Sequence, residues 1–83
     1  MKKAIIFGAG KIARGFVAQL LYNSGYEIVF IDVDKQLIDL LKRQKAYTVH
    51  ILGAEHLNTE VDRYRAVLSS ELDTIAKEME TAA

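Results

Sequence analysis

AIIFGAGKIARGFVAQLL, residues 4–21, decides how the rest of the chain is read. Four apolar residues (Ala4 to Phe7) run into Gly8-Ala9-Gly10, and a helical pattern follows at once, with Ile12, Phe16, Val17, Leu20 and Leu21 on one face. A short continuous apolar run ended by glycine is the signature of a strand buried on both faces of a parallel sheet. Strand, glycine turn and helix together bring free backbone N–H groups and the positive end of the helix dipole to one point. That point suits an anion, above all a pyrophosphate.

The spacing of Gly8, Gly10 and Ala13 is G-x-G-x-x-A. The first glycine permits the tight turn out of the strand, and the second leaves room for a pyrophosphate to approach the backbone. The third position needs only a small residue for the helix to close on the strand. Gly15 lies further along the same helix, where a glycine costs roughly 1 kcal/mol relative to alanine. Close packing or ligand approach is therefore expected there.

Working outward, Asn23-Ser24-Gly25 stops a first helix expected over residues 11–24, and Glu27 to Asp32 (EIVFID) reads as a second buried strand ending in an acid. Asp32 stands 19 residues beyond Ala13. In dinucleotide-binding folds an acid about 20 residues past the glycines accepts hydrogen bonds from the adenosine ribose. Asp34 adds negative charge, and neither Val33 nor Lys35 supplies an arginine clamp for a 2′-phosphate, so NAD is expected in preference to NADP. The residues expected to hold the cofactor are Gly8, Ala9, Gly10, Lys11, Ile12, Ala13 and Asp32. Lys11 and Arg14 lie beside the anion site, either as charge support for a pyrophosphate or anionic substrate, or as a solvated pair on the open side of the helix.

Asp34 can N-cap a second helix with Leu37, Ile38, Leu40 and Leu41 on its apolar positions and Lys42, Arg43 and Lys45 at its basic end. Tyr47 to Leu52 and Val61 to Leu68 then read as two strands of a hairpin or excursion with one wetter face. Ser70-Glu71-Leu72-Asp73 has capping-box spacing and opens a third helix whose face carries Leu72, Ile75, Ala76 and Met79. The fold class expected is α/β: a partial Rossmann-like dinucleotide-binding fold, β-α-β-α followed by a β-hairpin and a C-terminal helix, lacking the second half of the sheet. A methyltransferase-type fold also places glycines after strand one and an acid after strand two, but the G-x-G-x-x-A spacing and Arg14 argue against it.

Composition excludes several classes. The 83 residues are 51% apolar and 27% charged, with eleven acids balancing eleven Lys and Arg, so no basic face is offered to nucleic acid or to a membrane surface. The longest apolar runs are four or five residues, too short to span a bilayer. Without cysteine there is no disulfide framework or thiolate chemistry, and a soluble cytoplasmic protein is expected. His50 and His56 show no metal-ligand spacing, and His50 reads as a structural or edge residue of its strand.

At FGAGKIARGFVAQLL, through FIDVD and into AYTVHILG, the sequence resembles the amino-terminal segment of the mannitol-1-phosphate 5-dehydrogenase family, in the polyol-specific long-chain dehydrogenase group. Arg14-Gly15-Phe16 and Tyr47-x-Val49-His50 make the likeness more specific than a dinucleotide fingerprint. Two positions depart from the pattern: Lys11 stands where the family usually has asparagine, and Ala13 where it has glycine. The resemblance implies an NAD-dependent enzyme interconverting mannitol 1-phosphate and fructose 6-phosphate by hydride transfer. It also implies a catalytic lysine, with asparagine and histidine partners, in a helical carboxy-terminal domain that nothing here matches. Residues 1–83 are accordingly expected to be the N-terminal part of an NAD-binding domain, a fragment inactive on its own, with the sugar-alcohol phosphate bound by the missing domain. A stand-alone nucleotide-binding or sensing module is the alternative. A first strand without its other neighbour is expected to make the isolated chain self-associate through Ala4 to Phe7.

Overall fold

Residues 2–10, 13–49 and 59–81 are described by the computed structural model. Strand β1 (Lys3–Phe7) leads through the glycine turn to a π-helical segment, Ala13–Val17, which continues into α1 (Ala18–Asn23). Val17 at the join has right-handed helical dihedrals, so the two form one uninterrupted helix. The wide winding falls on Ala13 and Gly15, where little side-chain bulk resists it. A Cβ added at Gly15 would meet nothing within 4 Å, so of the two roles expected from the sequence, close packing and ligand approach, close packing is not what this glycine serves.

The helix ends as its residues dictate. Gly25 takes a positive φ of 87°, Tyr26 N–H donates to Leu21 C=O and Gly25 N–H to Tyr22 C=O, both at 3.0 Å. This is a Schellman motif. Strand β2 (Glu27–Asp32) follows, then α2 (Lys35–Gln44), N-capped by Asp34, whose carboxylate accepts from Leu37 N–H at 3.2 Å. Strands β3 (Tyr47–Val49) and β4 (Thr59–Val61) pair antiparallel, β5 (Tyr64–Leu68) follows, and α3 (Leu72–Glu80) is the last described element.

The main sheet has the order β1-β2-β5, all parallel, with Ile5 opposite Val29 and Val29 opposite Arg65. Its two faces are unequal. One carries Ile28, Phe30 and Ala66 and is covered by Ala18 of α1 and by Ile38 and Leu41 of α2. Phe30, Tyr47 and Tyr64 meet ring to ring at the margin of this core, with centroids 5.4 to 6.3 Å apart. The other face carries Val29, Ile31 and Val67, packed by Ile5 and by Ile75 of α3. The α/β, partial Rossmann-like expectation matches this architecture.

Three sequence-level expectations are corrected in detail. The hairpin is present, but its second arm is Thr59–Val61; the stretch beginning at Tyr64 leaves it to become the third strand of the main sheet. Arg63 and Arg65 lent Val61 to Leu68 a half-polar rhythm, yet neighbouring Ala66 and Val67 are both buried, one on each face, as in a strand covered on both sides of the sheet. The capping box at Ser70 does not form. Glu71 occupies the N-cap position without a side-chain cap, because its carboxylate turns back to accept from Leu68 N–H at 3.1 Å. The buried face of α3 is also rotated: Leu72 is 71% and Met79 50% exposed, while Glu78 is buried. Charge decides that phase, since Glu78 meets Lys3 Nζ at 2.5 Å and Arg65 Nε at 2.6 Å.

Candidate cofactor cleft

The carboxyl ends of β1, β2 and β5 open onto a cleft of about 350 Å³ lined by Phe7, Gly8, Ile31, Asp32, Val33 and Ser69. In open α/β sheets this end of the strands is where ligands bind. Gly8 leaves β1 with a φ of 101°, a conformation that favours glycine, and its N–H still completes the β1–β2 ladder by donating to Ile31 C=O at 2.6 Å. The chain can thus turn sharply without losing the last sheet bond.

Asp32 closes the turn. Its Oδ2 accepts from Ala9 N–H and its Oδ1 from Asp34 N–H, each at 2.8 Å. Those donations from Asp34 and Ala9 hold its carboxyl below the usual aspartate range, so it is ionised at neutral pH. Each oxygen has used one lone pair and keeps acceptor capacity for a further donor. The sequence predicted an acid near the glycines; the structure ties the two together by a hydrogen bond.

Gly10 differs from Gly8. A Cβ there would meet nothing within 4 Å, so the protein's own packing does not demand glycine at that position. Space kept open on an exposed glycine turn at the head of a helix fits a cradle whose missing Cβ makes room for a ligand. Helix winding begins beside it, with Arg14 N–H donating to Gly10 C=O at 3.0 Å. Ala9 is fully buried in the core, and Ala13 is half-buried in the first helical turn. Lys11, Ile12, His50 and His56 lie outside the described residues.

Arg14 lies in the first turn of the helix. It is half-buried rather than solvated, its Nε finds no partner among the described residues, its C=O accepts from Tyr47 O–H at 3.0 Å, and its charge acts on Tyr47 and Tyr64. Burial pushes the Tyr47 hydroxyl up to about 12, and the Arg14 charge opposes this. Arg14 therefore faces the aromatic margin of the core. Lys35, close in sequence to Asp32, pairs with Asp39 at 2.6 Å. Ser69 was not foreseen in the cleft. Once β5 is seen to lie beside β2, the residue following it must reach the same end of the sheet, and Ser69 N–H donates to Asp32 C=O at 2.9 Å. Among the described residues, no helix is long and apolar enough to cross a membrane.

Comparison with known proteins gives this geometry a lineage. Residues 2–83 match the family described as the mannitol dehydrogenase Rossmann domain. The chain is 46% identical over 83 residues to mannitol-1-phosphate 5-dehydrogenase of Phaeosphaeria nodorum, covering 98% of this chain and 21% of that protein. Likewise it is 47% identical over 83 residues to the enzyme of that name from Talaromyces marneffei, and 46% identical over 69 residues to that from Oceanobacillus iheyensis. It spans about a fifth of the length of these relatives, 18% to 21%. With the match extending from the first strand through α3, the chain belongs to the mannitol dehydrogenase Rossmann-domain family.

Proposed function

We propose that this chain is the NAD-gripping segment of an oxidoreductase that interconverts mannitol 1-phosphate and fructose 6-phosphate, and that alone it binds the dinucleotide without turning over. The observation that carries the reading is the Asp32 carboxylate, ionised and bonded to the glycine turn through Ala9 N–H at 2.8 Å. Gly8 and Gly10 give the pyrophosphate access to backbone, Ala9 and Ala13 hold the turn against the core, and Asp32 offers its remaining lone pairs to ribose hydroxyls. Lys11 and Ile12 belong to the same binding turn by their place in the motif. The bound cofactor supplies the hydride acceptor or donor. This chain's residues bind and orient its adenosine half.

Preference for NAD over NADP follows from charge. On this reading Asp32 and Asp34 set negative charge where a 2′-phosphate would come, and Lys35, next to Asp34 in the chain, is engaged by Asp39. The substrate is drawn from the shared name of the relatives. Phosphorylated sugars do not cross membranes unaided, so a cytoplasmic setting goes with this reading.

Fluorescence titration with NADH and NADPH tests it. NADH binds, NADPH binds at least about tenfold more weakly, and Asp32→Asn weakens NADH by about tenfold or more, the worth of a hydrogen bond to a charged acceptor. Equal binding of the two cofactors, or an unaltered Asp32→Asn variant, overturns the assignment.

A further inference from the structure

Arg14 and Tyr47 open the two stretches that set this chain apart from a bare dinucleotide fingerprint, and the fold brings them together. Tyr47 O–H, on the hairpin, donates to Arg14 C=O at 3.0 Å. The acceptor is a backbone carbonyl in the first turn of a helix, where no outside donor is ordinarily needed. At the start of a helix the N–H groups lack partners; the carbonyls lack them at its end. The other side-chain donors to helix carbonyls among the described residues all serve last turns. Tyr64 O–H does so on Leu41 C=O at 2.5 Å, and Arg63 Nη2 on Tyr22 C=O at 3.2 Å.

The exception goes with the winding. Ala13–Val17 is π-helical, so its carbonyls are drawn away from their usual donors four residues on, and Arg14 C=O is open to an outside hydroxyl. Arg14 is engaged at both ends of its backbone, because its N–H donates to Gly10 C=O at 3.0 Å. The Tyr47 hydroxyl thus reaches Gly10, the bare Cα of the cradle, through one residue. Tyr47 itself is firmly placed: it pairs with buried Val61 across the hairpin, and its ring meets Phe30 at 6.3 Å and Tyr64 at 5.4 Å. The second strand of the hairpin holds the same helix further along, where Gln19 Nε2 donates to Thr59 Oγ1 at 3.3 Å.

We propose that Tyr47 is a positioning residue for the pyrophosphate cradle, its hydroxyl fixing the wide first turn through Arg14 C=O and, through Arg14 N–H, the place of Gly10. The proposal rests on the cofactor reading above and deepens it. Without the hydroxyl, Arg14 C=O regains a partner by tightening toward ordinary α-helical bonding, which rotates the first turn and shifts Gly10. Asp32 does not follow, since Asp34 N–H and the fully buried Ala9 hold it. Loss of Tyr47 O–H therefore costs contact with the pyrophosphate and spares contact with the adenosine ribose.

Titration of the whole 83-residue chain with ADP-ribose and with adenosine, followed by NMR, tests this split. Tyr47→Phe keeps the ring and is expected to weaken ADP-ribose by about threefold to tenfold, the worth of one neutral hydrogen bond, with adenosine unchanged within about twofold. Tyr64→Phe removes a hydroxyl from the same ring cluster and leaves both affinities in place. Asp32→Asn weakens both ligands. In the unaltered chain, isotope-labelled at the tyrosine Cζ, ADP-ribose shifts the Tyr47 resonance and adenosine does not; this measurement decides if Tyr47→Phe fails to fold. Equal loss of both ligands in Tyr47→Phe, no loss at all, the same split in Tyr64→Phe, or a Tyr47 resonance indifferent to ADP-ribose overturns the proposal alone. No binding of ADP-ribose by the unaltered chain, or an Asp32→Asn variant that binds as well, overturns the cofactor reading and this proposal with it.

Discussion

Replacing Glu78 by glutamine removes one charge and almost no volume, and it tests what holds α3 to the sheet. Glu78 is buried between Arg65 and Lys3, and the Arg65 guanidinium, followed by the Lys3 ammonium, lowers its carboxyl to about 2 against an ordinary 4.5. At about 1.4 kcal/mol per tenfold in proton affinity, that difference is worth roughly 3 kcal/mol. Arg65 is 44% exposed, so solvent screens part of this, while Lys3 is left buried beside a neutral amide, which adds a cost. We expect Glu78→Gln to lose about 2–3 kcal/mol at pH 7, a large share of the roughly 4–12 kcal/mol typical of a chain this long. The sign with pH follows: a depressed carboxyl contributes stability above its unfolded value, and that stability is lost as pH falls from about 4.5 toward 2. Urea unfolding followed by circular dichroism, at low protein concentration and a series of pH values, should show the two proteins far apart at neutral pH and converging near pH 2. A difference below about 0.5 kcal/mol at pH 7, or one that stays constant down to pH 2, would refute the reasoning.

The two glycines of the turn separate stability from binding. Gly8→Ala forces a Cβ onto a φ of 101° and should destabilise the fold by about 1–3 kcal/mol in thermal melts without any ligand. Gly10→Ala meets open space, so its melting temperature should hardly move while NADH affinity falls by about tenfold or more. Lys45 ends α2 in the left-handed region at a φ of 62°, so Lys45→Gly should gain roughly 0.5–1 kcal/mol, read as a higher urea midpoint at unchanged slope.

What could be read from the sequence was what local chemistry decides. Gly8 and Gly10 after an apolar run, Asp34 as a cap and Gly25 as a stop each act through residues a few positions away, and Asp32, which bonds to Ala9 23 positions back, was marked by the fixed length of a strand-helix-strand unit. The structure has the glycine turn after β1, Asp32 at the end of β2, Asp34 capping α2 and Gly25 ending α1, while Lys11 and Ile12 lie outside its described residues. What stayed hidden depends on partners distant in sequence. Nothing near Tyr64 announces that it will lie beside Ile28, so β5 passed for an arm of the hairpin. Nothing around Arg14 announces that Tyr47, 33 residues away, will donate to its carbonyl. Leu72 and Met79 repeat at helical spacing, but Lys3 sits 75 residues from Glu78, and that ion pair sets the phase of α3 against its apolar pattern.

These distant contacts divide the work of the sheet between its two ends. At the carboxyl ends of the strands, Asp32 is held ionised by backbone N–H groups alone, and of these the Asp34 N–H lies exposed where water can replace the carboxylate, while the Ala9 N–H is part-buried. At the amino ends, Glu78 is held by side-chain cations, one of them buried, and no water replaces it cheaply. The first arrangement tolerates substitution in stability and yields in binding; the second does the reverse.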